Sequence, residues 1–156
     1  MLTDQQRQFL ERHPIARFSS ADLRGQPHVV PVCFALGKET AYFSIDQKPK
    51  RATAEALKRV RNVLENPQVA LLVDRYEEDW TQLGWVMIQG QAEVLSSGDE
   101  HDCAQRQLKQ RYRPLRDMHI DDLPVIAIRI DHVISWGNLA DQRPPNNGPA
   151  HGQENR

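Results

Sequence analysis

The chain has 156 residues, and its 20 basic and 21 acidic side chains leave a formal net charge of −1. That length suits one domain with one core, and the near-cancelling charge argues against nucleic acid or a membrane surface as the main partner. Cys33 and Cys103 have no metal-type or redox-type spacing, the N-terminus is too polar for a signal peptide, and no apolar run approaches the roughly 20 residues that cross a bilayer, so a cytoplasmic protein is expected.

Residues 3–12 read as a short helix, with Thr3 and Gln6 spaced as a capping box and Phe9 and Leu10 as its apolar side. Pro14 helps to stop it. Residues 15–20 form a first strand. Arg24-Gly25-Gln26-Pro27 signals a turn, and residues 28–36 form a Val-rich second strand. Gly37-Lys38-Glu39 closes a hairpin onto a third strand at 40–45.

A basic loop follows, Lys48-Pro49-Lys50-Arg51, and then a helix with Thr53 as its N-cap and Leu57, Val60 and Leu64 at helical spacing. Positive charge just before a helix N-terminus has the wrong sign for the helix dipole. A bound anion, most naturally a phosphate held by the lysines and the first helical N–H groups, resolves the conflict. Lys58 and Arg61 fall on one face of this helix at i,i+3; for Lys58, Arg59 and Arg61 a solvated face is the alternative to a ligand role. No aromatic interleaving supports nucleic-acid binding here.

Residues 68–74 are a short apolar run, read as a fourth strand buried on both faces. Residues 76–83 are an acidic, aromatic connection, and its Trp80 is the best of the three tryptophans for lining a pocket. Trp85 and Trp136 read as core or interface packing. Residues 85–95 alternate as a half-buried fifth strand, with Val86, Ile88, Gly90, Ala92 and Val94 on one side. Ser97 and Glu100 are spaced as a second capping box, opening a packing helix to about Arg113. Residues 124–135 form the last strand. From Gly137 the composition turns to Gly, Pro, Asn and Gln, and residues 141–156 are expected to be a disordered tail beyond a single domain of residues 1–140.

Six strands in hairpin-like order with peripheral helices fit a small antiparallel barrel, mainly β within the α+β class, better than a βαβ nucleotide fold. The glycine loops of dinucleotide- and nucleotide-binding folds, H-E-x-x-H and G-x-S-x-G are absent. His28, His101, His119 and His132 show no ligand spacing, so no metal site is expected. Cys33 reads as a small strand residue rather than a nucleophile.

The strings R-F-S-S-A-D-L-R-G-Q-P-H-V-V-P-V-C-F, Y-F-S-I-D-Q-K-P-K-R and L-E-N-P-Q-V-A-L-L-V-D, with Asp79-Trp80 and Trp85, resemble the pyridoxamine 5′-phosphate oxidase-like split-barrel family. Their arrangement is most similar to the branch that uses the deazaflavin coenzyme F420. The resemblance covers roughly residues 10–136. It implies a split β-barrel homodimer with the cofactor in a groove at the interface. It also implies that Ser44 and Lys50 hold a phosphate, with Lys48 and Arg51 beside them, and that Pro31, Val32 and Cys33 lie along the flavin ring. Lys58 and Arg61 would meet further anionic groups. At the positions of two phosphate-binding basic residues of the oxidases this chain has Val30 and Ala35, and the substrate-binding arginine motif near the C-terminus is missing. The expectation is therefore an F420-dependent oxidoreductase acting on a small organic molecule, not a pyridoxine phosphate oxidase. The alternatives are an FMN-dependent reductase or oxidase, and a carrier or sensor that binds flavin or tetrapyrrole without turnover. No general acid or base is nominated, because the cofactor carries the chemistry.

Overall fold

The structure is a computed structural model, and it describes residues 1–45 and 53–141. Lys48, Lys50 and Arg51 lie outside the described residues, as does the tail from residue 142. Helix α1 spans Asp4–Arg12 and opens with the expected capping box. The Thr3 amide donates to Gln6 Oε1 at 3.0 Å and the Gln6 amide to Thr3 Oγ1 at 3.2 Å, which satisfies two amides that a helix start otherwise leaves without partners. Phe9 and Leu10 are fully buried.

Seven strands follow: β1 Ile15–Ala21, β2 Pro27–Cys33, β3 Ala35–Leu36, β4 Thr40–Ser44, β5 Gln68–Arg75, β6 Gly84–Leu95 and β7 Val125–Gly137. They form one antiparallel sheet in the order β2-β1-β5-β6-β7-β4-β3. Its inner face carries Phe18, Phe43, Leu71, Ile88, Ile126 and Ile128, nearly all fully buried. Phe18 and Phe43 meet with ring centroids 4.6 Å apart at 56°, a tilted packing that aromatic rings favour.

The expected second strand is in fact two, which raises the count from six to seven. The cause is Phe34. β2 pairs with β1 up to Cys33, whereas Ala35 and Leu36 pair with Tyr42 and Ala41 of β4. The two outermost strands of the sheet are thus consecutive in the chain, and the sheet curls into a split barrel that chain continuity closes. Phe34 turns between the ladders with its ring wholly buried. Side chains replace its lost ladder partners. The Tyr112 hydroxyl accepts its N–H at 3.0 Å, and Arg111 Nη1 donates to its carbonyl at 2.8 Å, as a buried backbone requires.

The outer helices are α2 Thr53–Glu65, α3 Asp99–Arg111 and α4 Arg113–Asp117, with a 3-10 turn at Trp80–Gln82. Leu64, expected on the apolar side of α2, is 72% exposed, while Asn62 and Val63 are buried. The second capping box does not form. The N-cap of α3 is Gly98, without a side-chain cap, because the Glu100 carboxylate is spent elsewhere. It accepts from the Tyr42 hydroxyl at 2.7 Å and pairs with Arg129, whose Nη2 reaches Oε2 at 2.9 Å. Tertiary pairing has drawn away the group that the local motif would use. Among the described residues no helix is long and apolar enough to cross a membrane.

Candidate cofactor cleft

Two clefts share α2 as a wall. The first, about 220 Å³, is lined by Ile15, Pro31, Val32, Cys33, Ser44, Arg59 and Leu115. The second, about 580 Å³, is lined by Asp22, Leu23, Arg24, Lys58, Arg61, Asn62 and Glu65. The fold thus brings Pro31, Val32 and Cys33, from the end of β2, to Ser44, at the end of β4. The two strands are far apart in the sheet order and become neighbours only because the barrel curls. Lys58 and Arg61 lie together, as their spacing predicts, but in the second cleft. Trp80 lines neither cleft; it stands on the 3-10 turn, 71% exposed.

Arg59 is the residue the sequence left among the solvated possibilities. Its Nε is buried and has no hydrogen-bond partner among the described residues. The reason for its placement is helical phase. At about 100° per residue, Arg59 falls between Asn62 and Val63 on the buried arc, and Lys58 and Arg61 fall on the other side. Asn62 anchors that arc from within: its side-chain amide donates to Ser20 Oγ at 3.1 Å. The signal was present in the sequence as Val60 and Val63 at i,i+3; reading the arc through Leu64 instead turned Arg59 outward.

The cleft combines apolar walls, one hydroxyl and one cation. A guanidinium N–H without an acceptor in a partly dry site suits an anionic ligand group. Val30 packs against the barrel core and Ala35 is 4% exposed in a second apolar cluster. These strand positions hold packing side chains, so Arg59 is the cation that lines the cleft among the described residues. The same outer surface carries a register row. Pro31 pairs with Arg17, Arg17 with Leu72, Leu72 with Met87 and Met87 with Ile134. The row begins at a wall of the cleft, crosses the Arg17–Asp74 ion pair and continues over Leu72, Met87 and Ile134. In the neighbouring row Trp85 pairs with Trp136, which is 55% exposed.

A sequence model of the pyridoxamine 5′-phosphate oxidase family matches residues 2–137. The chain belongs to the pyridoxamine 5′-phosphate oxidase family. No curated protein matches it. Solved structures share its fold at low identity. A heme-binding protein from Mycobacterium smegmatis has a TM-score of 0.67 at 18% identity, over 86% of this chain and 53% of the other. A heme storage protein from Vibrio cholerae has a TM-score of 0.61 at 17% identity, over 82% and 89%. An FAD-binding protein from Mesorhizobium loti has a TM-score of 0.59 at 22% identity, over 83% and 87%. Proteins that share this fold are thus described by ligands of different chemistry, and the fold alone does not choose between them.

Proposed function

We propose that this protein is an oxidoreductase that binds a flavin-type redox cofactor, the deazaflavin coenzyme F420 in preference to FMN, in the Pro31–Ser44–Arg59 cleft of a homodimer. The observation that carries the reading is the buried Nε of Arg59, without a partner among the described residues, in a cleft that Pro31, Val32 and Cys33 otherwise make apolar. A planar ring with an anionic tail matches both halves. Arg59 and Ser44 hold the phosphate, and Lys48, Lys50 and Arg51, which the sequence sets between them, add charge. The strand residues Pro31–Cys33 lie along the ring and exclude water from it. When bound, the cofactor supplies hydride transfer to or from a small organic substrate. The likeness to an FAD-binding protein supports a flavin-type ligand.

F420 ranks above FMN because Lys58 and Arg61 line a second cleft across the same helix, where a longer anionic tail finds further positive charge. Size and surface support the homodimer. The first cleft, about 220 Å³, is smaller than the roughly 300–1,000 Å³ of most small-molecule sites. Leu72, Met87 and Ile134 of the outer row give a second copy an apolar seat, so the partner completes the cleft. A tetrapyrrole is the rival ligand, since two of the structural relatives bind or store heme. Among the described lining residues only Cys33 is of a type that ligates heme iron, which ranks the rival lower.

The test is a titration of purified protein with F420, FMN and hemin, followed by absorbance and fluorescence. Tightest binding of F420, with oxidation of its reduced form by an added acceptor, is the expected result. Binding of hemin and of neither flavin overturns the reading and leaves a carrier.

A further inference from the structure

Ser44 does not stand alone in the cleft wall. Behind it lies Gln105 of α3, 2% exposed, whose Nε2 is 3.1 Å from Ser44 Oγ, 2.7 Å from the Ile120 carbonyl and 3.1 Å from the Leu123 carbonyl. Two carbonyl oxygens facing the same end of the amide fix its orientation, because they accept only; the donor end points to them, and therefore also to Ser44. The Leu123 carbonyl has another donor in His101 Nε2 at 2.8 Å. The two amide hydrogens serve three acceptors: Ile120 is nearest at 2.7 Å, and Ser44 and Leu123 share the other at 3.1 Å each. Ser44 Oγ accepts from Gln105 Nε2, which only donates, so the serine's own hydrogen is left for another acceptor.

We infer that Gln105 is a positioning residue that makes Ser44 a hydrogen-bond donor toward the cleft, so that the site selects ligand groups that only accept, such as a phosphate. The inference rests on the cofactor reading above and gives its anion site a polarity. A serine hydroxyl can turn either way; Gln105 removes that choice before the ligand arrives, and Arg59 supplies the matching positive charge. Gln105 touches no ligand itself. It acts through Ser44, from a helix that lies behind the wall. Its Oε1 is buried without a partner among the described residues, a cost the fold bears while the amide stays turned toward Ser44.

The test is a double-mutant cycle on cofactor affinity with Gln105→Met, Ser44→Ala and the pair. The probes are FMN against riboflavin, and F420 against its phosphate-free deazaflavin. Each single variant is expected to weaken the phosphorylated ligand on the order of tenfold and to leave the phosphate-free ligand unchanged. The pair is expected to equal Ser44→Ala alone, since Gln105 has nothing left to act through. Losses that multiply, or that fall equally on both ligands, mean a packing role and overturn the inference. Loss in Ser44→Ala without loss in Gln105→Met overturns it too, while the cofactor reading stands. Wild-type affinity in both Ser44→Ala and Arg59→Gln overturns the cofactor reading and the inference with it. Should Gln105→Met not fold, the side-chain amide proton resonances of Gln105 in the wild type decide. They move with the phosphorylated ligand and not with its phosphate-free form; if both ligands leave them in place, the inference fails.

Discussion

The Tyr112 hydroxyl stands 3.0 Å from the Phe34 amide nitrogen and 2.7 Å from the Pro14 carbonyl oxygen. It accepts from the first and donates to the second. One side chain from the end of α3 therefore ties the break between β2 and β3 to the segment that enters β1, and so holds the seam of the barrel. Arg111 closes the other side, with its guanidinium 4.4 Å above the Phe34 ring and hydrogen bonds to Leu10 and His13 carbonyls at 2.9 Å each. Tyr112→Phe keeps the ring and strips the acceptor from a buried N–H. It is expected to cost about 1–3 kcal/mol, read as a lower urea midpoint with unchanged slope.

Arg59→Gln removes the cation that faces the first cleft. Affinity for FMN or F420 is expected to fall roughly tenfold or more, as for loss of one charge-assisted bond, with the thermal midpoint of the ligand-free protein little changed. Lys58→Ala with Arg61→Ala is expected to weaken F420 and to spare FMN, because only the longer tail reaches the second cleft. Equal effects on both ligands, measured by titration, contradict that assignment.

Met87 and Leu72 lie side by side in the middle of the outer row. A carboxylate there is desolvated if a second copy covers the row, at a cost of several kcal/mol. Met87→Glu is expected to shift the protein from dimer to monomer in sedimentation and to weaken cofactor binding in parallel. A wild-type mass of one chain removes the dimer.

Acid stability should follow Glu100. Its carboxyl is drawn down from 4.5 to about 2, first by the hydrogen bond from Arg129 and then by that from Tyr42, against the opposing effect of burial. The folded value lies below the unfolded one. The contribution is therefore complete above about 4.5 and is lost as the pH falls toward about 2. His101 gives the opposite limb. Burial alone lowers its pKa, but Asp102 and the Leu123 carbonyl outweigh it and raise the ring above 6.5. Its contribution is full below about 6.5 and is lost as the pH rises through the folded value. Urea midpoints across pH should show both slopes, with Glu100→Gln flattening the acid one and His101→Gln the other.

Gly90 marks the register shift in the β6–β7 ladder. A Cβ there would lie 2.0 Å from the Arg129 carbonyl oxygen, which belongs to the backbone and cannot swing aside. Gly90→Ala is expected to cost about 1–3 kcal/mol through overpacking, seen as a fall of several degrees in thermal midpoint.

Local pattern alone determined much of the chain. Alternation in β6 named its buried side, Val86, Ile88, Gly90 and Ala92, because a strand has a period of two whatever it packs against. Thr3 and Gln6 named the start of α1, because both partners of that cap lie within one turn. Ser97 and Glu100 had the same spacing and failed, since Arg129 and Tyr42 offered Glu100 stronger partners from strands far off in sequence. Phe34 broke the second strand for a similar reason. Its ladder partners are replaced by Arg111 and Tyr112, which no local window contains.

The candidate site divides in the same way. Pro31, Val32, Cys33 and Ser44 were legible as a set through the family resemblance, and the fold brings them to one cleft. Arg59, Gln105 and the separation of Lys58 and Arg61 were decided only in three dimensions. A helix seated on a barrel has one phase, and that phase is fixed by which side chains bury best; Asn62 and Val63 won over Leu64 and turned Arg59 inward. Of the described cations of α2, Lys58, Arg59 and Arg61, the packing of that helix turns Arg59 to the first cleft and the other two to the second.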